Sequence, residues 1–183
     1  MLVITGGAGF IGSNLVASLA AGGERSLVIV DHFGSDEKWR NLSKVGPVEL
    51  IAPPEVWRFL DIRSKEVRAV VHLGARTDTM DGDCGAIVRD NISFTQELWR
   101  WCERNRKPIV IASSAATFGD GSEGFHDRED LDYVSRLVPL NPYAWSKQIV
   151  DMFVLSRVSH GQCPKRWVIL KFFNVYGPNE WHK

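Results

Sequence analysis

The chain has 183 residues, room for one domain with a sizeable core, and its 44% apolar and 24% charged content is ordinary for a globular protein. Its 22 acids and 22 bases cancel, so bulk charge gives no reason to expect nucleic acid or an anionic membrane as a partner. Cys84, Cys102 and Cys163 are odd in number, far apart and without CxxC or metal-ligand spacing, which points to inert thiols in a reducing compartment rather than a disulfide framework or a metal site.

The N-terminus enters Leu2-Val3-Ile4 without a basic leader, and no apolar run approaches the roughly 20 residues that cross a bilayer. A cytoplasmic protein is the expectation. Leu2 to Thr5 predicts a strand. Thr5-Gly6-Gly7-Ala8-Gly9-Phe10-Ile11-Gly12 follows, containing both GxGxxG and GxxGxxG, and Ile11 to Ala21 predicts an amphipathic helix. A glycine pattern alone is weak, but strand before and helix after is the context it needs. Glycines there allow a tight turn, let backbone N–H groups approach a pyrophosphate and let the helix pack on the strand. The helix N-terminus adds partial positive charge. Leu27 to Val30 predicts the second strand, and Asp31 at its end is placed to bond adenosine ribose hydroxyls. These features together predict a nicotinamide dinucleotide site. Asp31 repels a 2′-phosphate while Lys38 and Arg40 can neutralise one, so these residues leave NAD and NADP open.

Beyond a polar connection to Arg40, strands are predicted at Val48 to Ile51, Ala69 to Leu73, Ile109 to Ala112 and Val168 to Phe172. Helices are predicted at Pro54 to Ser64, Ala86 to Arg104 and Pro142 to Val158. Strands that are apolar throughout suit a parallel sheet covered on both faces, and the alternation predicts an α/β, doubly wound parallel sheet. Residues 1–183 then form one dinucleotide-binding (Rossmann) domain. Gly119 to Pro139 is expected to be a surface excursion, with Asp127 to Asp132 a solvated acidic loop. Trp99 and Trp101 share a helix on which at least one is expected in the core, and His72 is expected to pack. His32, His126, His160 and His182 are scattered and form no ligand set.

Tyr143-Ala144-Trp145-Ser146-Lys147 places a phenol and an ammonium at i and i+4, on one face of a helix. A neighbouring cation stabilises phenolate and is expected to bring the tyrosine pKa down from about 10 towards useful acid–base work. Ser113-Ser114 ends a predicted strand, where ligands of open parallel sheets bind. Ser114 can there hydrogen-bond a substrate oxygen beside the Tyr143 hydroxyl.

In order, the glycine loop, Asp31, His72-Leu73-Gly74-Ala75, Asp90-Asn91, Ser113 to Gly119, YxxxK and Asn174-Val175-Tyr176-Gly177-Pro178 resemble the extended short-chain dehydrogenase/reductases, the class of nucleotide-sugar epimerases and dehydratases. Within it the chain most resembles the ADP-L-glycero-D-manno-heptose 6-epimerase family. Gly9 to Asn14, Ser113 to Thr117 and above all Phe173 to Lys183 carry that likeness. The resemblance implies a cytoplasmic, homo-oligomeric NADP enzyme of lipopolysaccharide core biosynthesis acting on an ADP-heptose-like nucleotide sugar. It also implies transient oxidation at C6 and re-reduction from the opposite face.

By the same resemblance Tyr143 is the first acid/base, Lys183 the second, Ser114 the hydroxyl partner and substrate contact, and Lys147 the tyrosine's activator and ribose ligand. Cofactor contacts fall on Gly6, Gly9, Phe10, Ile11, Gly12, Asp31, His32, Lys38, Leu73, Gly74, Ala75, Asn91 and Val175, and a substrate contact on Asn174. Leu73, Arg76 and Phe118 depart from the residue types usual at their positions. A 4,6-dehydratase would need an Asp-Glu pair where Ala115 and Ala116 stand. A nucleotide-sugar 4-epimerase needs only Ser114 and Tyr143, and Lys183 argues against it. A non-catalytic dinucleotide-binding remnant is a third reading. Family members continue into a substrate domain, so the expectation is a fragment ending as that domain would begin and inactive alone. The reason is that misplacing a catalytic group by about 1 Å can cost roughly a hundredfold in rate.

Overall fold

Residues 1–34, 37–46, 48–79 and 82–180 are described by the computed structural model. They divide into two units, the first made of residues 1–74, 107–109 and the segment from Asn174 on, the second of residues 75–106 and 110–173.

In the first unit, β1 (Leu2–Thr5), β2 (Leu27–Val30), β3 (Glu49–Ile51) and β4 (Ala69–His72) lie in the order β3-β2-β1-β4. β1 runs parallel to both β2 and β4, with Val3 opposite Val28 on one side and Val70 on the other. The Val70 N–H donates to the Pro108 carbonyl at 3.0 Å, so the chain entering the next strand flanks β4. All four β2 residues are buried, as a strand covered on both faces requires. α1 (Phe10–Ala21) supplies one cover: Val16 packs with Ile4, Leu27 and Ile29, and Leu15 and Leu19 flank them. The polar connection after β2 is less extended than its composition suggests, because Glu37–Leu42 closes into a 3-10 turn. The helix expected from Pro54 opens as a 3-10 turn at Pro53–Glu55 before α2 (Val56–Ile62). The proline rings fix φ and remove two N–H donors there.

In the second unit the single predicted helix from Ala86 is three consecutive pieces: α3 (Cys84–Ile87), a π turn (Val88–Ser93) and α4 (Phe94–Arg104). Trp99 and Trp101 are both buried, and Trp99 meets Trp167 edge to face at 5.9 Å. β5 (Ile109–Ser114), whose first residue belongs to the first unit, is followed by a 3-10 turn at Ala115–Phe118. The excursion after Gly119 is not all loop. Asp130 accepts hydrogen bonds from the Asp132 and Tyr133 N–H groups and starts α5 (Leu131–Arg136). Tyr133 and Val134 bury against Phe118, Leu137, Met152 and Leu155. The acidic run is therefore in part a helix start, stabilised by an aspartate at its N-terminus. α6 (Pro142–Ser159) begins where Asn141 Oδ1 accepts the Ala144 N–H at 2.8 Å and Pro142 presets φ. β6 (Trp167–Phe172) lies beside β5. Among the described residues no helix is long and apolar enough to cross a membrane.

Candidate active site

The glycine loop of the first unit is a close backbone crossing. Gly6 has φ +69°, and a Cβ on it would stand 2.6 Å from the Gly74 nitrogen; one on Gly12 would stand 2.1 Å from the Gly6 carbonyl oxygen. Neither position admits a side chain. Gly9 precedes α1 with no side chain capping the helix, which leaves the first-turn N–H groups to an anion. Asp31 is buried and accepts the Ala8 N–H on Oδ2 and the His32 N–H on Oδ1, both at 2.8 Å. Lys38 Nζ lies 3.4 Å from Asp31 Oδ1 and 3.3 Å from the carbonyl of His32, whose side chain is exposed. Arg40 pairs with Glu37 at 2.7 Å instead.

Two further contacts brace this loop. Asn41 Nδ2 donates to the Ala8 carbonyl at 2.8 Å, while Asn41 Oδ1 is buried without a partner among the described residues. The Gly74 N–H donates to Thr5 Oγ1 at 3.2 Å, and that hydroxyl lies 2.6 Å from Nδ1 of the buried His72. Leu73, beside Gly74, packs on the β1–β2 core. The segment carrying Asn174 and Val175 is fastened to α1: Asn14 Nδ2 donates to the Pro178 carbonyl at 2.8 Å and Asn179 Nδ2 to Ser13 Oγ at 3.0 Å. Asn174 is exposed and Val175 half-buried. A buried acid at a strand end, an uncapped helix start, a side-chain-free crossing and an orphaned amide oxygen are a donor and acceptor set that fits a dinucleotide. Lys183 lies outside the described residues.

In the second unit Ser114 ends β5, and its Oγ accepts the Ala116 N–H at 3.1 Å, opening the 3-10 turn. Its proton is then available, and the Ser114 hydroxyl is close enough to the Tyr143 phenol to oppose its upward shift. Lys147, one turn along α6, is buried, places Nζ 5.9 Å from the Tyr143 ring centre and donates to the Ala112 carbonyl at 2.8 Å. Ala75 is half-buried and precedes Arg76. The buried Asn91, inside the π turn, accepts the Arg76 N–H at 2.7 Å and donates to the Arg76 carbonyl and to Ser146 Oγ, both at 3.0 Å. Ser146 Oγ donates in turn to the Tyr143 carbonyl at 2.7 Å. The π turn, a distortion frequent at functional sites, thus ties the chain after Ala75 to the first turn of α6.

The electrostatics differ from what spacing suggests. Burial pushes the Tyr143 phenol above its usual range, and the Ser114 hydroxyl only partly opposes this. Lys147 does not bring it down, because the ammonium is directed to Ala112 and is itself desolvated: burial pushes it down to about 8 against the pull of Asp151. Sharing a helix face sets proximity; burial decides the charge state. Among the described residues no group of three or more His, Cys, Asp or Glu can hold a metal.

Lys147 gives a measurable signature. Its folded pKa of about 8 lies below the unfolded 10.5, so the unfolded chain binds more protons between those values and stability must rise with pH there. Above about pH 10 Tyr143, shifted upward, acts in the opposite direction. Comparing thermal midpoints of wild type and Lys147→Met should show wild type gaining on the variant from about pH 8 to about pH 10. A constant difference would refute a buried, depressed Lys147.

A profile of the NAD dependent epimerase/dehydratase family matches residues 2–183. The chain belongs to this family. Among relatives of this epimerase/dehydratase chain, the ADP-L-glycero-D-manno-heptose-6-epimerase of Fusobacterium nucleatum is 36% identical over 185 residues, covering all of this chain and 55% of that protein. The solved ADP-L-glycero-D-manno-heptose-6-epimerase of Helicobacter pylori superposes with a TM-score of 0.79 at 26% identity, over 99% of this chain and 57% of the other. UDP-glucuronic acid 4-epimerase from Bacillus cereus, in complex with NAD, gives 0.78 at 27% identity, over 98% and 58%. The doubly wound α/β fold is thereby that of the nucleotide-sugar epimerases, and the chain spans about 55% of the length of the curated relatives it matches.

Asn41, Asn14 and Asn179 do not stand out as site residues in the sequence. Ser13-Asn14 and Asn179 do sit in two of the stretches that carry the family likeness, and their mutual contacts give that likeness a physical cause. Asn41 offers no local signal: it is a polar residue in a polar turn, and only the fold brings it to Ala8.

Proposed function

We propose that this chain binds NADP, with NAD as the alternative, and serves epimerisation of an ADP-heptose-like nucleotide sugar. The observation that carries this reading is the buried Lys147 set 5.9 Å from the Tyr143 ring centre on one helix face, with Ser114, at the end of a sheet strand, close enough to influence the phenol. Gly6, Gly9, Phe10, Ile11 and Gly12 would cradle the diphosphate, with Asp31 and His32 at the adenosine ribose. Lys38, already drawn to Asp31, would offset that acid's repulsion of a 2′-phosphate. Leu73, Gly74, Ala75, Asn91 and Val175 are proposed as the remaining cofactor contacts.

A bound nicotinamide supplies a reversible hydride acceptor at C6 of the heptose and ends unchanged. Ser114 would hold the reacting oxygen and Tyr143 would take its proton as the hydroxyl becomes a transient ketone. Taking that proton requires the phenolate, which burial opposes and the positive charge of an oxidised nicotinamide would favour; the phenol so formed would be ready to return the proton. Lys147 would bind the nicotinamide ribose, Asn174 the substrate, and Lys183 would serve the opposite face. A cytoplasmic, homo-oligomeric enzyme of lipopolysaccharide core synthesis is part of the same proposal.

Nucleotide-sugar 4-epimerisation is the second reading, favoured by the equally close superposition on a 4-epimerase. Elimination of water is disfavoured because Ala115 and Ala116 carry no transferable proton. The test has two arms. Titration with NADPH and NADH, followed by nicotinamide fluorescence, should show binding with NADPH the tighter. Incubation with ADP-D-glycero-heptose and NADP+, read by NMR, tests turnover: inversion at C6 without net formation of reduced cofactor would support 6-epimerisation and overturn the expectation that this stretch is inactive alone. Inversion at C4 of a UDP-sugar instead would favour the second reading, and binding without any turnover the remnant. No binding would end the proposal.

A further inference from the structure

Asp151 lies one turn beyond Lys147 on the same face of α6 and is almost completely buried. Its Oδ2 accepts two hydrogen bonds, from Ser113 Oγ at 2.9 Å and from Lys171 Nζ at 2.5 Å. Lys171, on β6, also donates to Thr117 Oγ1 at 2.7 Å and sits 5.2 Å from the Phe118 ring centre. One carboxylate oxygen therefore fastens the residue before Ser114 directly, and the turn after it through Lys171. The other oxygen, Asp151 Oδ1, is buried and has no hydrogen-bond partner among the described residues.

We propose that Asp151 is a positioning residue of the active site: a single carboxylate, set between two lysines, fixes the strand end that bears Ser114 and holds the Lys147 ammonium charged behind Tyr143. The proposal deepens the reading of Ser114, Tyr143 and Lys147 as the catalytic group and rests on it. A plain structural ion pair with Lys171 would have no use for a second oxygen left bare in the interior, since an unsatisfied buried carboxylate oxygen is costly. Its use is the field it exerts on Lys147, whose burial otherwise favours the neutral amine.

The elements around Lys147 carry the following polar groups among the described residues. On α6 they are Tyr143 and Asp151. From β5 and its following turn come the Ala112 carbonyl and the hydroxyls of Ser113, Ser114 and Thr117. β6 contributes Lys171, already paired with Asp151, and the π turn contributes the neutral Asn91. Among the described residues Asp151 is the one carboxylic acid in that set; burial pushes its carboxyl up, and Lys171, Ser113 and Lys147 oppose that push.

The test follows the 13Cε resonance of Lys147, assigned with Lys147→Met, against pH in wild type, Asp151→Asn, Asp151→Glu and Lys171→Met. Dinucleotide affinity is measured across the same range. In Asp151→Asn the Lys147 midpoint should fall by about one pH unit, so that the charged fraction, and with it affinity, drops about fivefold at pH 8 and hardly at all at pH 6. Asp151→Glu should restore the midpoint towards wild type. Lys171→Met removes the cation that most opposes protonation of the buried Asp151 carboxyl, so the Asp151 13Cγ midpoint should rise in it. If Asp151→Asn does not fold, the Asp151 13Cγ resonance of wild type decides: it should report an ionised carboxylate throughout the range in which Lys147 titrates. An unchanged Lys147 midpoint in Asp151→Asn, or a protonated Asp151 in that range, would overturn the inference. A shifted midpoint with affinity unmoved would instead leave Asp151 in place and remove Lys147 from the cofactor site, which is a failure of the proposed function alone.

Discussion

Gly12→Ala should abolish dinucleotide binding and lower stability by about 3 kcal/mol, whereas Gly9→Ala should lose most of the binding with little loss of stability. The two glycines occupy one loop but do different work. A methyl on Gly12 would sit 2.1 Å from the Gly6 carbonyl oxygen and 2.7 Å from the Gly7 Cα. All of those obstacles are backbone, so no side chain can swing aside and α1 must back away from the strand it covers. Val16, Ile4 and Ile29 would then lose part of their mutual packing. At Gly9 the nearest atom to a new Cβ is the Gly6 oxygen at 3.3 Å. Its φ of −72° and ψ of −179° suit any residue, and the added methyl projects over the start of α1, where a pyrophosphate would lie. Chemical denaturation of both variants beside an NADPH titration separates the roles. Equal stability losses, or undiminished binding in Gly9→Ala, would show that the loop is not the diphosphate cradle.

That local chemistry explains why the first forty residues are so readable. Glycines at fixed spacing, an apolar strand before them and Asp31 at the end of β2 all belong to short-range geometry, and β1, α1 and β2 lie within one residue of where the pattern puts them. The start of α6 is legible for the same reason: Asn141 and Pro142 make a helix start, and four positions necessarily bring Tyr143 and Lys147 to one face. What is not legible depends on distant partners. The π turn interrupts a run with ordinary helical periodicity because the Asn91 amide reaches out to the backbone of Arg76. α5 hides in an acidic stretch whose composition reads as solvent-facing; its buried side is only Tyr133 and Val134, too short a signal for periodicity. Asp151 looks like one more polar residue of a helix until Ser113 and Lys171, far off in sequence, arrive at its carboxylate. The direction of the Tyr143 shift is of the same kind. Spacing supplies the cation, but depth of burial is a property of the packed unit, and it outweighs the neighbour.

Tyr143→Phe should lower epimerase turnover about 10²- to 10⁴-fold, the range for loss of a positioned acid/base, while leaving dinucleotide affinity nearly unchanged. The substitution keeps the ring, and so keeps the burial and the surface against which Lys147 lies 5.9 Å from the ring centre. It deletes one oxygen, and with it whatever the Ser114 hydroxyl contributes to the phenol, so the stability change should be about 1 kcal/mol or less. Ser114 makes an instructive contrast. Its Oγ has a second duty, accepting the Ala116 N–H that starts the turn after β5, so Ser114→Ala should disturb local structure as well as substrate placement. Ser114→Thr, which retains the hydroxyl, should recover much of the loss. If Tyr143 is the group that takes and returns the substrate proton, Tyr143→Phe will be slow at every pH, because among the described residues Tyr143 is the ionisable group beside the Ser114 hydroxyl. Should Tyr143→Phe turn over at the wild-type rate with NADP bound, the phenol would be a packing residue and the chemistry would have to be sought elsewhere in the family's frame.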